Sequence, residues 1–276
     1  MPSLGVDHLT ALDLPPEEFV RAAGAAGFES VSLRTIHVTG GEPSWAGPPI
    51  DTAAVLRAMA DSGVRVHAVE AIAITPSLAH GLDALRPLLQ QGAELAAGFV
   101  YSFSDDPDAG RCADTFARLA EVVDEAGMRL LLEPMPYRSV ATLAQAAGIV
   151  AGVAGTGLIV DALHTSRGGT TPADLAGLDP DLLAVLQLCD APTVPPGAPS
   201  PSGLDPLLHE ARFDRRLPGA GELPLEEFVA AMPSGALVTV EAPVSGEADE
   251  PARRWDRVRD ATHAALGWPS ERGSLA

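Results

Sequence analysis

Short apolar runs and helical repeats alternate along this chain. Runs of strand length fall at Leu4–Leu9, Ser30–Arg34, Val64–Glu70, Gly98–Phe103, Met128–Glu133, Gly157–Asp161, Leu183–Cys189 and Ala236–Glu241. Most are hydrophobic almost throughout, as strands buried on both faces require. Between them, apolar residues recur at helical spacing in Pro16–Ala26, Thr52–Ser62, Asp108–Ala126, Val140–Val153, Leu225–Ala231 and Pro251–Ala265. Prolines 15, 16, 172 and 224 sit where a helix would begin, and Gly27, Gly63, Gly127 and Gly155 where one would end. Short strand-then-helix units force right-handed crossovers, and eight of them predict a closed parallel sheet rather than an open one. The expectation is an α/β protein, a single-domain (β/α)8 TIM barrel over residues 1–276, with a long rim loop at about 191–221 and a short C-terminal tail. No GxGxxG follows the first strand, so a dinucleotide fold lacks its usual signature.

Composition narrows the chemistry. The formal net charge is -19, from 37 acidic and 18 basic residues, and such a field repels nucleic acid and anionic membrane. The chain has no lysine, which removes Schiff-base, pyridoxal-phosphate and P-loop mechanisms, and no asparagine to accept a glycan. Its two cysteines, Cys112 and Cys189, form no CxxC and read as buried thiols. The N-terminus MPSLGVDHLT lacks a basic segment followed by an apolar one, and no apolar stretch reaches membrane-span length. The expected setting is cytoplasmic, with a small-molecule partner and neither nucleic acid nor membrane.

Four strands end in a residue able to hold a hard cation. LLLEP supplies Glu133, LIVDALH Asp161, VLQLCD Gln187 and VTVEAP Glu241. A carboxylate directly after a buried strand needs a cation, an arginine or a hydrogen-bond network. In a barrel these C-terminal strand ends converge on one bowl, so the four are expected to ligate one divalent metal. Four oxygen donors favour Mn2+, with Mg2+ or Co2+ as alternatives, over Zn2+. Other rim positions suit either substrate or structure: Arg34 and Glu70 end strands two and three and can bind substrate or neutralise each other, His8 ends strand one and can face the rim or take a core or capping place, and Arg212, Arg215 and Arg216 crowd the long loop, where they can bind substrate or pair with surface acids. Trp45, in the loop GEPSWAGPP, could wall the pocket, whereas His67 lies within a strand and reads as packed.

From Met128 onward the stretches LLLEPMPYRSV, VDALHTSRGGTTPADL, QLCDAP, HEARFDRRLPGAGELPL and VEAP resemble the sugar phosphate isomerase/epimerase family of xylose-isomerase-like barrels, related to endonuclease IV-type enzymes. That family's metal ligands are Glu, Asp, His and Glu at the ends of strands five to eight, so the resemblance implies the same four positions, with Gln187 replacing the usual His. It further implies that His164 lies beside the metal and contacts substrate, and that Arg216, shortly before the Pro-Gly turn, binds substrate. Glu133 and Glu241 would act as the acid–base pair on opposite faces of a polyhydroxy carbonyl substrate, through a metal-stabilised enediolate. The implied reaction is isomerisation or epimerisation of a ketose, keto-polyol or related sugar derivative, and the implied assembly a homodimer or homotetramer. Dehydration of a keto-polyol or hydroxy acid is the alternative, because the same enediolate can expel a β-hydroxyl. A non-catalytic barrel ranks lower, as does an endonuclease, since QLCDAP offers neither the strand-seven His nor a following Asp-x-His.

Overall fold

A computed structural model of the chain describes residues 3–35, 50–243 and 251–269; Trp45 with its loop, and the C-terminal tail after 269, lie outside the described residues. The eight strands are β1 (Leu4–Val6), β2 (Ser30–Arg34), β3 (Arg65–Ile74), β4 (Phe99–Ser104), β5 (Arg129–Leu132), β6 (Thr156–Asp161), β7 (Leu183–Leu188) and β8 (Leu237–Val240). Each pairs in parallel with the next, and β8 pairs with β1 to close the barrel. This is the (β/α)8 TIM barrel that the alternation predicts.

Around it lie α1 (Pro16–Ala26), α2 (Thr52–Ser62), α3 (Arg86–Glu94), α4 (Ala109–Glu125), α5 (Leu143–Val150), α6 (Ala162–Arg167), α7 (Pro206–Phe213), α8 (Leu225–Ala231) and α9 (Pro251–Ala265). Local chemistry sets their ends. Pro16 opens α1, and Gly27 closes it in a left-handed conformation (φ 89°) that a side chain would resist. Asp51 and Asp108 cap α2 and α4 through their carboxylates, and Thr142 with Gln145 forms a capping box on α5. No described helix is long and apolar enough to cross a membrane.

Three local expectations change. The first strand stops at Val6 rather than Leu9, and the chain turns into a 3-10 segment at His8–Ala11. The third strand runs four residues past Glu70, to Ile74, carried by the apolar stretch after it. The long segment 191–221 is not wholly irregular, because it contains α7.

Within the barrel, Ala68, Tyr101, Leu131, Ile159 and Val185 pack as an apolar layer. Strand residues alternate faces, so two residues beyond Val185 and Leu237 the next inward positions are Gln187 and Thr239. These two are wholly buried, as are Asp7 and Ser30, with His67 close to it. Gly5 leaves room for them: a Cβ there would lie 2.9 Å from Ser30 Oγ and 3.1 Å from His67 Cε1. The barrel is thus apolar at its floor and polar above, toward the C-terminal strand ends.

Candidate active site

The polar layer centres on Asp7. Its Oδ2 accepts hydrogen bonds from Gln187 Nε2 (3.0 Å) and Thr239 Oγ1 (2.5 Å), and its Oδ1 lies 3.1 Å from His67 Nε2. Ser30 Oγ meets the other ring nitrogen of His67 at 3.0 Å. A carboxylate can only accept, so Asp7 fixes which end of the Gln187 amide is nitrogen. The amide oxygen Oε1 then points elsewhere, buried and without a hydrogen-bond partner. Asp7 was legible by the strand-end argument applied to Glu133 and Asp161, but its neighbour His8 was taken for the functional group instead.

His8 holds a structural place. Its Nδ1 accepts the Arg34 backbone N–H at 3.0 Å, so Nε2 carries the proton and donates it to Leu14 O at 3.0 Å. The ring packs on Phe19 with centroids 4.3 Å apart, and burial drives its pKa down to about 3. Because β1 ends at Val6, Asp7 takes the inward position and His8 turns back against α1. His8 is therefore not the rim residue that its predicted place at a strand end suggested.

Above the polar layer, a pocket opens between the C-terminal strand ends. It is lined by Arg34, Glu70, Glu133, Tyr137, Arg138, His164, Arg212, Arg215 and Glu241, among others. Every substrate-binding position expected from sequence is here except His8 and Arg216. The register of the long loop explains Arg216. Its backbone bridges Asp190 (2.8 Å in both directions), which makes the segment locally extended, and neighbouring side chains in an extended segment point to opposite sides. Arg216 is exposed and donates to Ala220 O at 3.3 Å, whereas Arg215 turns into the site and is buried. Tyr137 and Arg138, from the PMPYRSV stretch, also line the pocket without having been singled out. Arg138 lies over the Phe103 and Tyr137 rings and pairs with Asp105 at 2.8 Å.

Glu133, His164 and Glu241 line the pocket, and Asp161 lies beside them. Asp161 caps α6, its Oδ1 accepting the His164 N–H at 2.9 Å. That cap presents His164 Nε2 3.7 Å from Glu133 Oε1 and 3.4 Å from the Tyr137 hydroxyl. One donor atom from each of Glu133, Asp161 and His164 lies within 4.8 Å of the others. Arg215 is set among them, NH1 2.5 Å from Asp161 Oδ2 and NH2 2.8 Å from Glu241 Oε2.

Burial and crowding set the protonation. Burial lifts the Glu133 carboxyl well above the usual range, and the nearby Glu241 and Asp161 charges add to it. Burial likewise pushes Glu241 up to about 8, against the pull of Arg215. Burial also pushes Asp161 upward, but Arg215 and His164 outweigh it and hold that carboxyl below its ordinary value. His164 is driven by burial down to about 4 and is neutral. Burial pushes the Cys189 thiol up to about 12, so it supplies no thiolate nucleophile.

These residues fit a divalent ion. Two oxygens, Glu133 Oε1 and Gln187 Oε1, are buried without hydrogen-bond partners, and unpartnered acceptors of this kind suit a cation. Glu133, Asp161 and Glu241 crowd three carboxyl groups around one arginine. His164 adds a nitrogen donor that the all-oxygen expectation did not include.

Comparison with known proteins places this geometry in context. The family described as xylose isomerase-like TIM barrel matches residues 18–262. No curated protein sequence matches the chain. Among solved structures, a xylose isomerase-like TIM barrel/4-hydroxyphenylpyruvate dioxygenase fusion protein is 19% identical with a TM-score of 0.75; the match covers 99% of this chain but 45% of that one. The IolI protein, whose structure has a bound zinc atom, is 16% identical over 98% of this chain and 100% of its own, with a TM-score of 0.77. D-psicose 3-epimerase, solved in the presence of D-fructose, is 15% identical over 97% of this chain and 100% of its own, with a TM-score of 0.68. At these identities the likeness shows the shared barrel.

Proposed function

The chain belongs to the xylose isomerase-like TIM barrel family, and on that premise we propose that it is an enzyme that moves a proton next to the carbonyl of a small polyhydroxy compound, isomerising or epimerising it with the help of one divalent ion. The observation that carries the reading is the convergence of Glu133, Asp161 and His164 under a pocket that Glu241 also lines. A solved neighbour that is a sugar epimerase, and another that holds zinc, support it.

Glu133, Asp161, Gln187 and Glu241 are the proposed ligand positions, with His164 as a further donor. A nitrogen donor favours Mn2+, Co2+ or Zn2+ over Mg2+, and Mn2+ remains the first choice because the other donors are oxygens. The ion, when bound, would polarise the substrate carbonyl and make the neighbouring C–H more acidic. Glu133 and Glu241 directly follow β5 and β8, which two strands separate, and so reach the substrate from different sides. One takes the proton and the other returns it. Arg34, Arg212 and Arg138 edge the same pocket and suit substrate hydroxyl or carbonyl oxygens.

The test is incubation of the metal-loaded protein with a panel of ketoses and keto-polyols in D2O. The proposal expects deuterium at the carbon beside the carbonyl, and a loss of about 100- to 10,000-fold in that exchange for Glu133→Gln or Glu241→Gln at saturating metal. Growth of enone absorbance instead would make the enzyme a dehydratase, and undiminished exchange in both variants would remove the two carboxylates from the mechanism.

A further inference from the structure

The Arg215 side chain is 1% exposed, which is deep burial for a guanidinium at the edge of a pocket. Besides its contacts with Asp161 and Glu241, its NH1 donates to Glu241 O at 3.2 Å, its NH2 lies 3.3 Å from His164 Nε2, and its Nε donates to Ala211 O at 2.8 Å. It therefore stands among the groups proposed to hold the ion and neutralises part of the same charge. Asp161 makes the conflict sharp. Its Oδ1 accepts the His164 N–H and its Oδ2 the Arg215 NH1, so a cation on either oxygen shares it with a donor, and on Oδ2 with a positive charge. Yet Arg215 does not complete the site, since Glu133 Oε1 and Gln187 Oε1 are buried and unpartnered with the guanidinium in place. One positive charge spread over a planar fork cannot reach every donor that a compact dication could.

We infer that Arg215 is a built-in competitor of the divalent ion: its guanidinium sits on Asp161 Oδ2 and Glu241 Oε2, and its charge opposes a cation held by the same carboxylates. Two positive charges on shared carboxylates repel, so the ion binds less tightly with Arg215 in place than without it. Arg215 serves the carboxylates too, because without it Asp161 and Glu241 would be buried with no cation beside them. The inference rests on the reading that this site takes a metal.

Mn2+ titrated calorimetrically into the wild type and into Arg215→Met, each stripped of metal, tests it. Arg215→Met is expected to bind Mn2+ at least about tenfold more tightly, as removal of a like charge from beside the ion requires. Because that variant loses a buried ion pair and can fail to fold, a second measurement uses the wild type alone. Diamagnetic Zn2+ is added while the Arg215 Nε–H resonance is followed by NMR, and this resonance is expected to shift in step with occupancy. Equal Mn2+ affinities, or an Arg215 resonance unmoved at saturating Zn2+, would overturn the competition and leave the metal site standing. Failure of the wild type to bind either ion would overturn the metal reading and the competition together.

Discussion

Single residues show where sequence reasoning reached and where it stopped. Glu133, Asp161 and Glu241 were legible because a carboxylate directly after a buried strand demands compensation; Glu133 and Glu241 line the pocket, and Asp161 meets them through Arg215. Choosing between adjacent residues was harder. Arg216 rather than Arg215, and His8 rather than Asp7, were the expected functional positions, and each misses by one residue. In extended backbone a shift of one sends a side chain to the opposite face, and composition alone does not fix that register. His8 carries a pH prediction. Its folded pKa is depressed from 6.5 to about 3, while the unfolded chain takes up the proton below about 6.5. Its contribution to stability is therefore complete above pH 6.5 and is lost as pH falls toward 3. Between pH 7 and 5 the loss is about 2 kcal/mol, and His8→Gln should lose about that much less than the wild type over the same interval. Urea unfolding at the two pH values checks this, and identical pH slopes for the two proteins would show that His8 accepts a proton in the folded state.

At the level of elements, the strands were readable because each lies buried in the barrel wall and so appears as an apolar run. The helix α7 was not, since eight residues flanked by Pro- and Gly-rich sequence give too short a pattern to stand out. Asp205 caps it by accepting the Leu207 and Leu208 N–H groups, and a bidentate pair fixes it in place. Arg167 Nε and NH2 reach the two Glu210 oxygens at 2.8 and 2.7 Å, with both side chains 3% exposed. Arg167 closes α6, the helix that carries His164, and Arg215 follows two residues after α7. This pair thus ties together the elements that present His164 and Arg215 to the site. Glu210→Ala leaves a buried guanidinium unpaired and should cost about 3–5 kcal/mol. Denaturant unfolding together with limited proteolysis should show that loss and new cleavage within residues 191–221. Wild-type stability and an unchanged digestion pattern would mean that α7 is held by other contacts.

Across the whole molecule, the barrel divides its tasks along its axis. The apolar layer around Tyr101 and Leu131 closes the floor, and the Asp7 network above it sets the orientation of Gln187. The C-terminal strand ends above that bear the acids and His164, as is general for enzymes of this architecture. The sequence showed the architecture and the acidic positions because both follow from strand burial. It could not show the guanidinium among the acids, because Arg215 reaches them from a loop more than fifty residues beyond Asp161. Catalysis as proposed requires that these groups together form a single divalent-ion site. Anomalous diffraction from crystals soaked in Mn2+ tests that claim most directly. One anomalous peak per chain, coordinated by Glu133 and Asp161, is expected; no peak at saturating Mn2+, or one bound away from these carboxylates, would contradict the single-site reading.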